Sequence, residues 1–387
     1  MQNTIYEYEE IKEENNRELK THIIDNSSLH QYFKLDWKTL KARQYCGILN
    51  FNNQDFYILP KIANHNDEKD AKQNLNIFIY MLMYAYDVKL SNEQIASCAN
   101  EEHTILEVFV QMFANGLLQE LKKGMYKKYI TEQDNLNVLK GKYLINENIK
   151  YNFTKNKIYC EYDEFSENNS LNQFFLYAVK YLQKFVKDKK LLKQCELVFD
   201  EVEYKSVDIN RVETINFNRL NVRFKISFEI ALLLLKQSIP LFNQDKKSFA
   251  FLFDMNVLFE KFIARMVKEL DSNAKIQNQD NFGDLTLKPD IILKNQIIDT
   301  KYKKIRSIED IKQSDKLQAF AYGINYEVEN VMLLYPKDEK DVIYDLVLGK
   351  DDKKVELKIR TIDLNFSGNE YKEYIEEIKL RVESLNG

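Results

Sequence analysis

Apolar residues recur at helical spacing in some stretches of the chain and alternate in others, and the two periods divide it into zones. Leu75, Ile79, Leu82, Met83 and Tyr86 predict a helix over 70–86. Leu106, Val110, Phe113, Leu117 and Leu121 predict a second over 103–123, with Gly124 as its C-cap. Helices are also predicted over 170–187, 220–237 and 254–270, the last opened by Asp254 as N-cap. Near the start, 43–62 reads as two strands joined at Asn52-Asn53-Gln54-Asp55, and 28–40 as a short helix carrying the only tryptophan, Trp37.

Residues 136–165 change character. They are tyrosine-rich and alternating, broken at Thr154–Asn156, and predict a β-arm between helical regions. The last third predicts strands at 285–293 and 296–301, a helix at 307–325, strands at 328–335, 342–348 and 355–363, and a closing helix at 370–384. The fold class is therefore multidomain α+β. A mixed β/helical N-terminal region spans 1–130, an extended β-arm 131–166, a helical connector 167–250 and a C-terminal α/β domain 251–387. No internal repeat or low-complexity stretch interrupts this order.

Composition narrows the picture. A chain of 387 residues exceeds one simple core, and its 24 Tyr and 24 Phe can fill several. Nine Gly and four Pro leave little for long flexible linkers. A net charge of −4 argues against coating nucleic acid by bulk electrostatics, although local patches and cations still allow a DNA enzyme. Cys46, Cys98, Cys160 and Cys195 stand far apart, as reduced thiols of a cytoplasmic protein would. The N-terminus is acidic without an apolar signal core, and no apolar run is long enough to span a bilayer, so no membrane association is expected.

The chemistry concentrates in LTLKPDIILKNQIIDTKYKK, residues 285–304. Acid-x-Lys triplets occur elsewhere by chance, at Glu18–Lys20 and Glu356–Lys358 for example. Asp299-Thr300-Lys301 differs in its setting, since the apolar Ile297-Ile298 runs straight into it and Pro289-Asp290 opens the preceding strand. If Lys294-Asn295 is a two-residue turn, Leu293 meets Gln296 and Asp290 falls opposite Asp299, with Cβ atoms about 5 Å apart. Lys301 shares the face of Asp299. Opposed carboxylates repel unless a cation lies between them, and Mg²⁺ suits oxygen donors completed by water and phosphate. The Thr300 carbonyl is a further candidate ligand. The alternative is a surface hairpin in which Lys301 merely pairs with one aspartate.

Gln318 and Tyr322 lie four apart on the predicted following helix, placed to reach phosphate or to orient Lys301, or else to serve as ordinary helix surface and core. Glu260, within the amphipathic DMNVLFEKFI, is a candidate third acid of the metal site or a solvated carboxylate. Lys303, Lys304 and Arg306 are candidate phosphate contacts or a solvated face. All four histidines precede this region, which leaves a histidine-based nuclease mechanism little support.

At these residues the chain resembles the PD-(D/E)xK nucleases. More narrowly it is similar to the McrC family, nuclease subunits of McrBC-type modification-dependent restriction systems. YILPKI (57–62), LKKGMYKKY (121–129), NLNVLKGK (135–142), EYDEFSENNSLNQ (161–173), FNRLNVRF (217–224) and DMNVLFEKF (254–262) carry the likeness from about residue 40 onward. The resemblance implies a Mg²⁺-dependent endonuclease with Asp290, Asp299, Lys301 and Glu260 catalytic. It also implies a hexameric AAA+ GTPase partner of the McrB type, which binds GTP, and double-stranded DNA as substrate. In that family 1–130 would dock on the ring and the arm would enter its pore. Two departures stand out: LKGK (139–142) has lysines where arginines are frequent, and the first forty residues match nothing in the family. The chain has no G-x-x-x-x-G-K-[ST] of its own, so nucleotide dependence would come from another subunit. Two other readings remain: an autonomous nuclease of repair or recombination, and a non-catalytic adaptor that only stimulates a motor.

Overall fold

A computed structural model describes residues 3–11, 13–36, 39–52, 54–63, 67–99, 104–154, 156–209, 215–243, 246–350 and 353–385. Two compact units emerge, and the first is assembled from both ends of the chain, 1–105 with 239–387. The second is the insertion between them, 106–238.

Among the described residues the first unit holds two larger sheets and two two-stranded ones. Strands β1 (Thr4–Tyr6), β2 (Tyr45–Phe51) and β3 (Gln54–Leu59) are joined by β4 (Ser238–Asn243) and β5 (Lys246–Asp254), in the order β1-β3-β2-β5-β4. The expected hairpin is present, with Phe51 opposite Gln54 and Asn52 in the left-handed region at φ +52°. Strand β5 pairs along β2 from Phe249–Asn50 to Asp254–Tyr45, so the boundary expected at 250/251 falls inside a strand. Helix α1 (Glu13–Asp25) contributes Leu19 and Ile23 to a core with Leu49, Ile58 and Leu252. The helix expected over 28–40 is not formed. A single 3₁₀ turn at Ser27–Leu29 leads into strands Phe33–Leu35 and Leu40–Ala42, which pair antiparallel across a turn closed by Asp36 and Thr39. Phe33 and Leu40 are buried there, an alternation that favours strand over helix. Trp37 and His103 lie outside the described residues.

Helix α2 (Glu68–Ala85) is capped by Asp67, whose side chain accepts from the Asp70 N–H at 2.9 Å. The second sheet then carries the predicted chemistry. Its strands are β6 (Lys275–Ile276), β7 (Ile291–Ile292), β8 (Gln296–Thr300), β9 (Asn330–Pro336), β10 (Tyr344–Lys350) and β11 (Lys353–Ile362). They lie in the order β6-β7-β8-β9-β11-β10, with β8, β9 and β11 parallel and the rest antiparallel. The strand expected over 285–293 is divided, because Pro289 has no N–H for the ladder and only Leu285–Leu287 and β7 are extended pairs. Helix α3 (Met255–Leu270), capped by Asp254, α4 (Gln313–Asn325) and α5 (Tyr371–Ser384) complete the unit. The first turns of the helix expected over 307–325 are instead a 3₁₀ turn at Ile308–Asp310. Ala319 and Tyr322 of α4 bury one sheet face with Ile297, Val331 and Leu333. Helix α3 serves β8 on the other, Phe259 lying 5.8 Å from the Tyr302 ring.

In the second unit the helix Ile105–Leu121 ends at Gly124, φ +106°, whose N–H reaches the Leu121 carbonyl. The arm is present as Lys128–Leu136 paired antiparallel with Ile158–Ser166, with Lys142–Tyr143 alongside. Between them lies a short helix, Ile145–Tyr151, that the alternation did not predict. Helices Ser170–Leu182, Lys190–Val198 and Lys225–Gln237 follow. Among the described residues no helix is long and apolar enough to cross a membrane. The overall class is mixed α+β, as expected.

Candidate active site

The turn between β7 and β8 fixes the site. Leu293 donates its N–H to the Gln296 carbonyl at 2.8 Å, and Ile292–Ile297 and Ile291–Ile298 pair as the two-residue turn requires. Asp290 and Asp299 follow one residue beyond the last of these pairs and are close enough for each charge to be felt by the other. Asp299 is 2% exposed, and burial followed by the charge of Asp290 pushes its carboxyl up to about 7, against the opposing pull of Lys301. The Lys301 Nζ lies 2.6 Å from Asp299 Oδ2 as an ion pair. Among the described residues the Lys301 ammonium is the group that meets this oxygen. Two acids this close, one of them buried, carry more negative charge than the single ammonium of Lys301 offsets, which favours a further cation.

Asp290 is held differently. Its Oδ2 accepts from both the Thr300 N–H and the Thr300 Oγ1, each at 2.7 Å. Thr300 therefore meets the carboxylate through its two donors, a role the sequence reading had not given it. Both bonds fall on Oδ2, which fixes the orientation of the carboxylate and so the direction of Oδ1.

Lys301 continues the ladder by donating its N–H to the Leu334 carbonyl at 2.9 Å. Burial alone would lower its pKa, but Asp299, Asp290 and Asp315 outweigh burial and hold the ammonium above its ordinary value. The group is thus a fixed cation. Its Nζ also donates to Gln318 Oε1 at 3.1 Å, the Gln318 amide donates to the Tyr322 hydroxyl at 2.7 Å, and that hydroxyl donates to the Lys288 carbonyl at 3.2 Å. Of the two uses considered for Gln318 and Tyr322, the contacts made are those that orient Lys301. The chain of bonds runs from the lysine back to the residue before Pro289-Asp290.

Glu260 lies on α3 with its Oε1 bonded by the Gln277 side chain. Burial raises its pKa, Asp290 adds to the rise, and Gln277 opposes it. The two acids therefore feel each other. Yet among the described residues no group of three His, Cys, Asp or Glu is gathered closely enough to hold a metal. The neighbouring carboxylates of Asp290 and Asp299 form an all-oxygen pair, a donor set that fits Mg²⁺ with the rest of its octahedron supplied by water and phosphate.

The cations after the strand are already engaged. Lys303 pairs with Asp315 at 3.0 Å, and Lys304 and Arg306 both pair with Asp338 at 2.8 Å. Tyr302 points to the opposite face, where its hydroxyl donates to Glu7 Oε1 at 2.8 Å. Glu7 is 2% exposed, also accepts from the Lys61 N–H at 3.0 Å, and leaves Oε2 without a donor among the described residues. Burial pushes its carboxyl up to about 7, with the Lys61 N–H, Tyr302, Lys304 and Lys61 pulling the other way. Neither Gln277 nor Glu7 was marked by the sequence reading. A polar residue beside an edge strand and an acid outside every motif carry no local signal.

A family model described as McrBC 5-methylcytosine restriction system component matches residues 40–336. A chain in the refined half-complex from the tetradecameric assembly of Thermococcus gammatolerans McrB AAA+ hexamers with bound McrC shares the fold, with a TM-score of 0.60, 21% identity and 99% of each chain covered. The cryo-EM structure of the Thermococcus gammatolerans McrBC complex aligns with 68% of this chain and 86% of its own at 25% identity, with a TM-score of 0.48. No curated protein matches the chain.

Proposed function

The chain belongs to the McrBC family of 5-methylcytosine restriction system components, and from that premise we propose that it is the DNA-hydrolysing subunit. The observation that supports this most is the meeting of Asp290, Asp299 and Lys301, with the buried Asp299 carboxylate feeling the charge of Asp290 on one side and paired with the Lys301 ammonium on the other. The order of Glu260 on a helix, Pro289-Asp290, Asp299-Thr300-Lys301 and Gln318-x-x-x-Tyr322 on a mixed sheet fits a PD-(D/E)xK nuclease domain.

Asp290 and Asp299 would hold Mg²⁺. When bound, the ion supplies Lewis-acid polarisation of the scissile phosphate and a more acidic water. The protein's own part is positioning and charge. Thr300 fixes one carboxylate oxygen of Asp290 with two donors, and so leaves the other in a set direction. Lys301, kept protonated by its acidic neighbours, stabilises the negative charge that grows on the phosphate as the P–O bond breaks. Gln318, itself bonded to Tyr322, gives that ammonium a second acceptor beside Asp299 and so sets its direction.

The partner follows from the relatives. The Thermococcus gammatolerans assembly joins McrB AAA+ hexamers to McrC, and a ring of that kind is the GTPase this chain would serve and stimulate. The arm exposes Tyr129 and Tyr143 on its strands and Val138, Leu139 and Phe153 in the segments between them, the last at 95%, an apolar extension fitted to a partner's surface.

The decisive assay is cleavage of methylated and unmethylated DNA with Mg²⁺, with and without the co-purified GTPase and GTP. Wild type should cut only with partner and GTP, and Lys301→Ala should not cut. Cutting by the chain alone would favour an autonomous nuclease. Restriction left intact by Asp299→Ala would favour a non-catalytic adaptor.

A further inference from the structure

Gln277 follows β6 at φ +50°, a left-handed conformation that side chains other than Asn and Asp seldom adopt. Held there, its backbone N–H donates to the Asp290 carbonyl at 2.9 Å. Its side-chain Nε2 donates to Glu260 Oε1. One residue thus joins the main chain of one acid to the carboxylate of another, in a backbone conformation that is itself unfavourable. Such strain persists where the surroundings dictate it, and it gathers at functional sites.

We propose that Gln277 is a positioning residue of the cation site, fixing Glu260 beside Asp290 so that Glu260 strengthens the site's negative field from outside the Asp290–Asp299 pair. The inference rests on those two aspartates being the ion's ligands. Its physical basis is the repulsion between Glu260 and Asp290. The Glu260 backbone is set by α3, where Phe259 and Ile263 are fully buried, but its carboxylate can still rotate away from a like charge. A donor opposite Glu260 prevents that. A lysine or arginine in this place would neutralise Glu260, whereas the amide of Gln277 holds it without cancelling its charge.

Asparagine at 277 separates the side-chain role from the backbone role. It tolerates the left-handed conformation better and keeps the N–H to Asp290, but its shorter amide cannot reach Glu260. Mn²⁺ binding to the full chain, followed by calorimetric titration alongside thermal unfolding, should show wild type binding and Asp299→Ala not binding. Gln277→Asn should bind about tenfold more weakly, in line with other outer-shell partners, while melting no lower than wild type. Gln277→Ala should weaken binding likewise. Wild-type affinity in Gln277→Asn, with binding still abolished by Asp299→Ala, would overturn this inference alone. No Mn²⁺ binding by wild type would overturn the reading of Asp290 and Asp299 as well.

Discussion

Glu7→Gln should alter stability in a way that depends strongly on pH. The Glu7 carboxyl lies in the core of the first unit, with its pKa moved from 4.5 to about 7 by burial. Between those values the folded chain holds a proton that the unfolded chain has released. Stability therefore falls as pH rises through that window and levels off above the folded value. The linkage integral gives a loss of about 1 kcal/mol at pH 5 and about 3 kcal/mol at pH 8, a swing of roughly 2.5 kcal/mol. Glutamine cannot titrate, yet its Oε1 can still accept from the Tyr302 hydroxyl and the Lys61 N–H. Its Nε2 replaces an oxygen that has no donor among the described residues, which shifts stability by an amount independent of pH. The informative quantity is the variant-minus-wild-type difference in Tm, followed by circular dichroism from pH 5 to pH 8. It should move in favour of glutamine by roughly 5–10 °C for a unit of this size. A difference that stays flat across that range would refute the buried, proton-holding state of Glu7.

The other expectations concern the site and its support. Since burial pushes Asp299 up to about 7, a cation must displace its proton, and Mn²⁺ affinity measured by calorimetry should rise about tenfold from pH 6 to pH 8. Gln318→Ala frees the Lys301 ammonium and should lower kcat for cleavage by about ten- to a hundredfold with little change in KM for DNA, as single-turnover kinetics would show. Tyr322→Phe keeps the ring but loses the hydroxyl's bond to Lys288, and should cost about 1 kcal/mol in denaturant unfolding. Gly323→Ala would bring a Cβ within 2.4 Å of Val355 Cγ1, pressing α4 off the sheet, and should cost about 1–3 kcal/mol and lower cleavage together.

How far the sequence could be read depended on how far apart the interacting residues lie along it. The nearness of Asp290 and Asp299 was legible because a two-residue turn fixes the pairs Ile292–Ile297 and Ile291–Ile298 just before them. Gln318 and Tyr322 were legible through helical spacing, although their bonds to Lys301 and Lys288 needed the packing of α4. Thr300 was a candidate through its carbonyl, but its two donors to Asp290 escaped, because a strand pattern says where a side chain points and nothing of where its N–H goes. The pairing of Lys304 and Arg306 with Asp338 depends on a loop beyond β9, and without it both look like free phosphate contacts. Residues 28–40 read as helix because too few apolar positions separate the two periods; burial of Phe33 and Leu40 against α1 decided for strands. Glu7 shows the limit. It lies outside the family match, and only the folded first unit brings it to Tyr302.

The assembly of the first unit from both chain ends bears on its biosynthesis. When residues 45–59 leave the ribosome they can close their hairpin, but the far side of β2 has no neighbour until 246–254 have been made. Throughout translation of the insertion that strand presents bare amide and carbonyl groups, an invitation to mispairing with another nascent chain. The pairing is long-range and hence slow, so the dangerous interval outlasts synthesis itself. Messages truncated before codon 246 would yield a polypeptide whose opening segment can never be sheathed.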